Sequence, residues 1–154
     1  MSHSYNKIWL HVVFGTKYRN TLISPSVEKP IHEYMRKQLQ DNGCPVRIIN
    51  GMPDHVHLLF LQNHKMSVAD IIKQVKGSSS HWVNQQDFLS EKFAWQTGYG
   101  AFSVSESQLE KVYQYISNQK AHHAKKTFTE EYEEFIAAHG LIKLNDEEAN
   151  GKEH

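Results

Sequence analysis

The chain has 154 residues, 39% of them hydrophobic, and a formal net charge of zero. This length suits one domain with its own hydrophobic core, and no apolar run approaches the roughly 18 residues that span a bilayer. A single cysteine, Cys44, excludes an intramolecular disulfide. Together with an N-terminal sequence that lacks the pattern of a signal peptide, it indicates a cytoplasmic protein without a membrane partner.

The charge is unevenly distributed along the chain. Residues 129–154 carry eight acidic groups against two lysines, so residues 1–128 keep 15 basic against 9 acidic groups. A mildly basic body is compatible with a polyanionic partner but does not require one. We expect one domain over residues 1–140, with a short helix from Phe128 to His139, and a flexible acidic tail over residues 141–154.

Hydrophobic spacing predicts the elements of the first half. Residues 7–14 alternate as a strand does, with Leu10 on one face and His11 on the other. Pro30 is expected to open a helix, because proline suits a first helical turn. Asn42–Gly43 is expected to end that helix. The segments "PVRIIN" and "HVHLLFLQ", separated by a turn in "GMPD", predict two antiparallel strands.

Capping residues and a final strand organise the second half. Ser67 and Asp70 are spaced as a capping box at the start of a second helix, which Gly77 and the serines after it are expected to weaken. "GYGAFSVS" predicts the last strand. Ser107 and Glu110 suggest another capping box, at the start of a final helix.

This order of elements predicts the fold. It is β-α-β-β-α-β followed by one more helix, which is the pattern of an α+β, ferredoxin-like fold. We expect an antiparallel sheet with two helices on one face, so that the other face is left for a site or a partner.

Two histidines on one predicted strand form the first candidate site. His55 and His57 are two residues apart, so they project from the same face of the strand. Two imidazoles at this spacing can bind one divalent metal ion through neutral ring nitrogens. The pair alone is equally compatible with two ordinary histidines on a sheet surface.

A tyrosine and a glutamine on the predicted final helix form the second. Tyr115 and Gln119 are four residues apart and therefore on one helix face. Beside them, Tyr113 falls within the apolar stripe and is expected to pack. A tyrosine hydroxyl, with a pKa of about 10, is a poor nucleophile unless it is activated. Taken alone, the pair is more typical of a polar helix surface.

Five segments in order resemble the single-tyrosine HUH transposases of bacterial insertion sequences, including their REP-associated relatives. The resemblance covers about residues 5–136 and rests on "HVVFGTKYR", "GMPDHVHLLF", "VKGSSSHWV", "WQTGYGAFSVS" and "YISNQKAHH". It implies that His55, His57 and Gln119 bind Mg²⁺ or Mn²⁺ and that Tyr115 is the nucleophile. The activity implied is cleavage and rejoining of single-stranded DNA through a 5′-phosphotyrosine intermediate. Subterminal DNA hairpins and a second copy of the chain, in a homodimer, are the implied partners.

Basic residues and further histidines complete the candidate site. Phosphate contacts are expected from five basic side chains, which are equally compatible with solvated surface: Lys17, Arg19, Lys73, Lys76 and Lys120. Tyr18 lies within the first of these basic segments. His11 is expected near the site or at a dimer contact. His122 and His123 are candidate general bases by proximity alone.

Two other classes of protein fit parts of the pattern. A non-catalytic single-stranded nucleic-acid binder with an RRM-like sheet shares the β-α-β-β-α-β order, but it needs aromatic residues on the exposed central strands. His55 and His57 occupy such a face instead. A metal-dependent hydrolase with a water nucleophile would use the histidine pair but not Tyr115.

Overall fold

The structure is a computed structural model that describes residues 3–122, 126–131 and 133. Within them the elements are β1 (Trp9–Gly15), a 3-10 turn (Lys17–Arg19), α1 (Pro25–Asp41), β2 (Val46–Met52), β3 (His55–Leu61), α2 (Val68–Gln85), β4 (Gly100–Val104), a second 3-10 turn (Glu106–Gln108), α3 (Leu109–Ser117) and α4 (Gln119–His122). The predicted α+β, ferredoxin-like order is confirmed.

The described strands form one antiparallel sheet in the order β2-β3-β1-β4. The two central strands, β1 and β3, are rich in β-branched and other apolar residues, as buried strands require. Strand alternation sends half of their side chains to the face on which α1 and α2 pack. The resulting hydrophobic core includes Leu10, Val12, Phe14, Ile31, Met35, Val56, Leu58, Phe60, Ile71, Ile72 and Val75.

Helix α3 lies on the other face of the sheet. The side-chain amide of Asn50 on β2 donates to the carbonyl oxygens of Ile116 and Ser117, over 3.0 and 3.3 Å. These are the last carbonyls of α3, which have no amide partner within the helix. The sheet therefore has its core on one side and α3 on the side to which His55 and His57 point.

Helix α1 begins five residues earlier than Pro30, so the predicted start was wrong. Pro25 occupies the first turn, and the amides of Val27 and Glu28 both donate to the carbonyl of Ser24 over 3.0 Å. Pro30 lies inside the helix, where it forgoes the one hydrogen bond that its nitrogen would have donated. Proline is favoured in the first turn of a helix, so the sequence fits a helix start at either proline. Only the hydrogen bonds to the Ser24 carbonyl show that the helix starts at the first of them. The predicted end is confirmed, since Asn42 caps the helix and Gly43 has a φ of +76°.

Helix α2 runs through the glycine and serines that were expected to weaken it. The predicted cap is present, since the Asp70 amide donates to Ser67 Oγ over 3.1 Å. The hydroxyls of residues 78–80 donate to carbonyls three residues earlier, over 3.2 to 3.5 Å. Ser79 Oγ also accepts from Trp95 Nε1 at 2.9 Å. The serines are therefore satisfied within the helix.

The final helix differs from its prediction at both ends. Ser107 forms no capping box: its hydroxyl lies 3.1 Å from that of Ser105. The carboxylate of Glu110 instead accepts from Arg47 over 3.0 Å. The helix also ends at Ser117, and Asn118 separates it from α4.

The chain divides into two compact units, Met1–Lys120 and Ala121–His154. In the second unit residues 128–131 and 133 are helical, while the rest of the predicted helix and the predicted tail over residues 141–154 lie outside the described residues. Across the described ranges, no helix combines the length and apolarity needed to cross a membrane.

Candidate metal and nucleophile site

The β2–β3 hairpin places the two histidines beside the end of β1. Met52 pairs with His55 and Asn50 with His57 across the hairpin, and the turn between the strands is Pro53–Asp54. The carbonyl of Asp54 accepts from the backbone amide of Thr16, just after β1, over 2.9 Å. The turn between β2 and β3 is thus held against the segment that follows β1.

Gly51 is required for the close approach of the two hairpin strands. A Cβ atom at this position would lie 2.2 Å from the carbonyl oxygen of His55. Real Cβ atoms are not found so near to backbone oxygen, so a larger residue would displace the start of β3. The glycine therefore sets the position from which the His55 side chain projects.

His55 and His57 lie on one face of β3, as predicted. Their ring centroids are 5.2 Å apart. His55 Nδ1 lies 2.8 Å from Asp54 Oδ1, and its other ring nitrogen, Nε2, lies 3.2 Å from Gln119 Oε1. His57 Nδ1 lies 2.7 Å from His11 Nε2. Both histidines therefore use Nδ1 for a neighbouring side chain.

The Asp54 carboxylate determines which nitrogen of His55 carries hydrogen. Burial works against ionisation of Asp54, but the hydrogen bond and the charge interaction with His55, with a smaller effect from Arg19, hold its pKa below the usual range. An ionised carboxylate only accepts hydrogen bonds. Nδ1 of His55 therefore donates to Asp54, and the lone pair of neutral His55 is on Nε2.

The residues present fit a divalent cation. His55 Nε2 and the carbonyl oxygen of Gln119 are 3.2 Å apart, so two atoms that can bind a metal ion converge. One cation could take both atoms as ligands. Two ligands at adjacent octahedral positions around Mg²⁺ lie about 3 Å apart, given metal–ligand distances of about 2.1 Å.

Tyr115 lies next to the histidine pair. Its ring centroid is 5.8 Å from that of His57 and 6.3 Å from that of His11, both in edge-on contacts. Tyr113 instead lies beneath the guanidinium of Arg47, 4.3 Å from the ring centroid to Cζ. Of these two tyrosines, Tyr115, which was predicted to be the nucleophile, is the one that lies beside the histidines.

Lys120 ties the segment that carries Gln119 to the rest of the unit. Its ammonium donates to the carbonyl of Gly51 over 2.6 Å, to Glu28 Oε1 over 2.7 Å and to Asn50 Oδ1 over 3.1 Å. Gln119 therefore follows a helix break but is anchored through the next residue.

The five basic residues predicted to contact phosphate do not form one surface. Lys17 is exposed in the 3-10 turn after β1, where Tyr18 and Arg19 both have a φ of +58°. Arg19 Nε donates to Gln96 Oε1 over 3.3 Å, and Lys76 donates to the Gln96 carbonyl over 2.6 Å. The structure thus gathers Arg19 and Lys76 around Gln96.

Lys73 lies elsewhere, on the side of α2 that faces away from the sheet. There it borders a shallow cavity of about 450 Å³ with Gln38 of α1. Lys120 is engaged in the anchoring contacts described above. In the turn after β1, Arg19 lies close enough to Asp54, the partner of His55, to act on its charge.

His11 and Asp54 are the site residues that the sequence left without a defined role. His11 was expected near the site, and it is buried against His57. The signal was available in strand parity: His11 is on the face of β1 opposite the core, and the antiparallel register places Val13 opposite His57. The side chain of His122, and all of His123, lie outside the described residues.

Known proteins share both this sequence and this fold. The family described as "Transposase IS200 like" matches residues 4–119. The chain belongs to the IS200-like transposase family. The ISDra2 transposase TnpA of Deinococcus radiodurans is 29% identical over 114 residues, which are 71% of this chain and 81% of the relative. The IS200 transposase of Salmonella typhimurium is 26% identical over 125 residues, 77% of this chain and 81% of the relative.

Two solved structures resemble the transposase chain. A crystal structure of a Deinococcus radiodurans protein described as a transposase has a TM-score of 0.59 and 27% identity, over 77% of this chain and 96% of that one. A REP-associated tyrosine transposase bound to a REP hairpin has a TM-score of 0.58 over 80% of this chain and 74% of that one. At 14% identity, the second similarity concerns the fold alone. The expected family is confirmed.

Proposed function

We propose that this IS200-like transposase cleaves and rejoins single-stranded DNA, with Tyr115 as the nucleophile. The observation that carries the proposal is the convergence of residues from two distant segments. Tyr115 and Gln119 come from α3 and α4, and they meet His55 and His57 of β3. A hydrolase with a water nucleophile has no use for a tyrosine at this position.

Mg²⁺ or Mn²⁺ would be held by His55 Nε2, His57 Nε2 and Gln119 Oε1. The Nδ1 atom of each histidine contacts a neighbouring side chain, so the ion is proposed to be bound through the two Nε2 atoms. When bound, the ion supplies a positive charge that polarises a phosphate oxygen. Two imidazoles and one amide oxygen leave coordination positions for substrate.

The reaction is an exchange of phosphodiester bonds. The hydroxyl of Tyr115 loses its proton, and its oxygen forms a bond to the scissile phosphorus. The bond from phosphorus to the 3′-oxygen breaks, and that oxygen leaves as a 3′-hydroxyl after taking up a proton. Attack on the phosphotyrosine by another 3′-hydroxyl restores Tyr115 and joins new DNA ends. One phosphodiester-type bond is made for each that is broken, so no nucleotide cofactor is consumed.

The DNA is proposed to pass the 3-10 turn after β1. Lys17 and Arg19 supply positive charge there, and Tyr18 is 80% exposed between them. An exposed aromatic ring between cations suits an unpaired base and its phosphates. Lys73, Lys76 and Lys120 are proposed as weaker contributors, because two of them already bind backbone carbonyls and the third lies on the far side of α2.

The substrate is proposed to be single-stranded DNA with a subterminal hairpin. The REP-associated structural neighbour is bound to a hairpin, which supports this choice. A homodimer is the proposed assembly.

The test is cleavage of a hairpin oligonucleotide with a single-stranded flank, with and without Mn²⁺. We expect metal-dependent cleavage by the wild type and none by Tyr115→Phe. Tyr113→Phe is the matched control. Tyr113 packs under Arg47, so this variant should remain active. Cleavage that survives Tyr115→Phe would favour a water nucleophile instead. Binding without any metal-dependent cleavage would favour a non-catalytic binder.

A further inference from the structure

The Nδ1 atom of His57 contacts another histidine, whereas that of His55 contacts a carboxylate. His11 projects from β1 on the same side of the sheet, and its Nε2 lies 2.7 Å from His57 Nδ1. The two rings are nearly parallel, at 25°, with centroids 5.0 Å apart. Both rings are buried, so the pair is a fixed contact within the sheet face.

A hydrogen between two neutral imidazoles can belong to either ring. If His57 Nδ1 carries it, His57 donates to His11 and its Nε2 has a lone pair. If His11 Nε2 carries it, His57 Nδ1 accepts, and the hydrogen of His57 is then on its Nε2. Only the first arrangement allows His57 to bind a metal ion through Nε2. His55 has only one such arrangement, because its partner Asp54 is a carboxylate and can only accept a hydrogen bond.

We propose that His11 is a positioning residue that selects the metal-binding tautomer of His57 by accepting its Nδ1 hydrogen. This inference rests on the proposed metal site and adds a residue to it. His11 acts through His57 and need not touch the metal or the DNA. Residues that orient metal-binding histidines typically change metal affinity by about 10- to 100-fold when they are removed.

Substitutions at position 11 separate the hydrogen-bond role from packing. His11→Glu provides only an acceptor and should keep Mn²⁺ affinity at or above that of the wild type. His11→Gln can still accept and should stay within a few-fold. His11→Leu fills the site but cannot accept, so we expect Mn²⁺ binding weaker by about 10- to 100-fold. His32→Leu is the matched control, a half-buried histidine of α1 replaced in the same way, and it should bind Mn²⁺ normally.

Mn²⁺ affinity is measured by titration calorimetry on the full chain, with circular dichroism to verify folding. Nitrogen NMR of the metal-free wild type reads the tautomer directly, and we expect His57 to be protonated on Nδ1 and bare on Nε2. If His11→Leu does not fold, this tautomer measurement still decides. The proposal is overturned if His57 carries its hydrogen on Nε2, or if a folded His11→Leu variant binds Mn²⁺ as the wild type does.

These failures are distinct from a failure of the proposed function. A wild type that forms a tyrosine–DNA adduct while His11→Leu binds Mn²⁺ normally would refute only the role of His11. A wild type that binds no Mn²⁺ would overturn the metal site and the role of His11 together.

Discussion

A half-buried histidine should make the stability of this domain fall in mildly acidic solution. His32 lies on α1, and its Nε2 has no hydrogen-bond partner among the described residues. Burial lowers its pKa from 6.5 to about 4; Glu28 opposes this change, while Lys120 and Arg36 add to it. His32 is therefore neutral in the folded protein at pH values where it is protonated in the unfolded chain.

The pKa difference sets the size and the direction of the effect. Each tenfold change in proton affinity is worth about 1.4 kcal/mol, so a fall from 6.5 to about 4 corresponds to about 3 kcal/mol. Because the folded pKa is the lower one, this stability is present in full above pH 6.5. It is lost progressively as the pH falls and is gone below about pH 4.

The assay is urea unfolding of the wild type and of His32→Leu, both at about pH 7 and about pH 4.5. Titrating groups that do not contact His32 affect both proteins alike, so the difference between the two proteins isolates His32 and its interaction with Glu28. We expect the wild type to lose about 2 kcal/mol more than the variant over this interval. Equal losses would show that His32 binds protons equally well in the folded and unfolded states, and that burial does not lower its pKa.

Three further substitutions test how the site is held. Gly51→Ala should destabilise the domain by several kcal/mol and weaken Mn²⁺ binding, because its Cβ would lie 2.2 Å from the His55 carbonyl oxygen; an unchanged melting temperature would contradict this. Gly77→Ala should raise stability by up to about 1 kcal/mol in thermal unfolding, because its Cβ would have no neighbour within 4 Å inside a helix; a loss of stability would contradict it. Lys120→Met should lower Mn²⁺ affinity several-fold in calorimetry, because this lysine anchors the segment of Gln119. The melting temperature should change little, because half-exposed ion pairs add little stability. Unchanged Mn²⁺ affinity would show that the anchor is dispensable.

Strand parity made much of the site predictable from the sequence. A period of two residues is enough to place His55 and His57 on one face and the alternating apolar residues of β3 in the core. A spacing of four residues predicted Tyr115 and Gln119 on one side of a single final helix, whereas Asn118 separates α3, which carries Tyr115, from α4, which carries Gln119. That these two faces meet, however, depends on contacts between distant segments, such as those from Asn50 to the end of α3.

The failures came from local signals that tertiary contacts override. Pro30 has the same local preferences as Pro25, and only the hydrogen bonds to Ser24 show which proline starts the helix. The serines after Gly77 were expected to weaken α2, but Ser79 is stabilised there by a hydrogen bond from Trp95, which lies 16 residues further along the chain. Strand parity places His11 on the same face of the sheet as His57, but the contact between their side chains depends on the register of β1 and β3.

The proposed function requires that Tyr115 forms the covalent bond to DNA. The most direct measurement is mass spectrometry of the protein after reaction with a hairpin oligonucleotide and Mn²⁺, followed by protein digestion. We predict a peptide that contains Tyr115 and carries a 5′-phosphate-linked nucleotide, together with a released strand that ends in a 3′-hydroxyl. Cleaved DNA without attached protein, or with the nucleotide on any other residue, would show that Tyr115 is not the nucleophile.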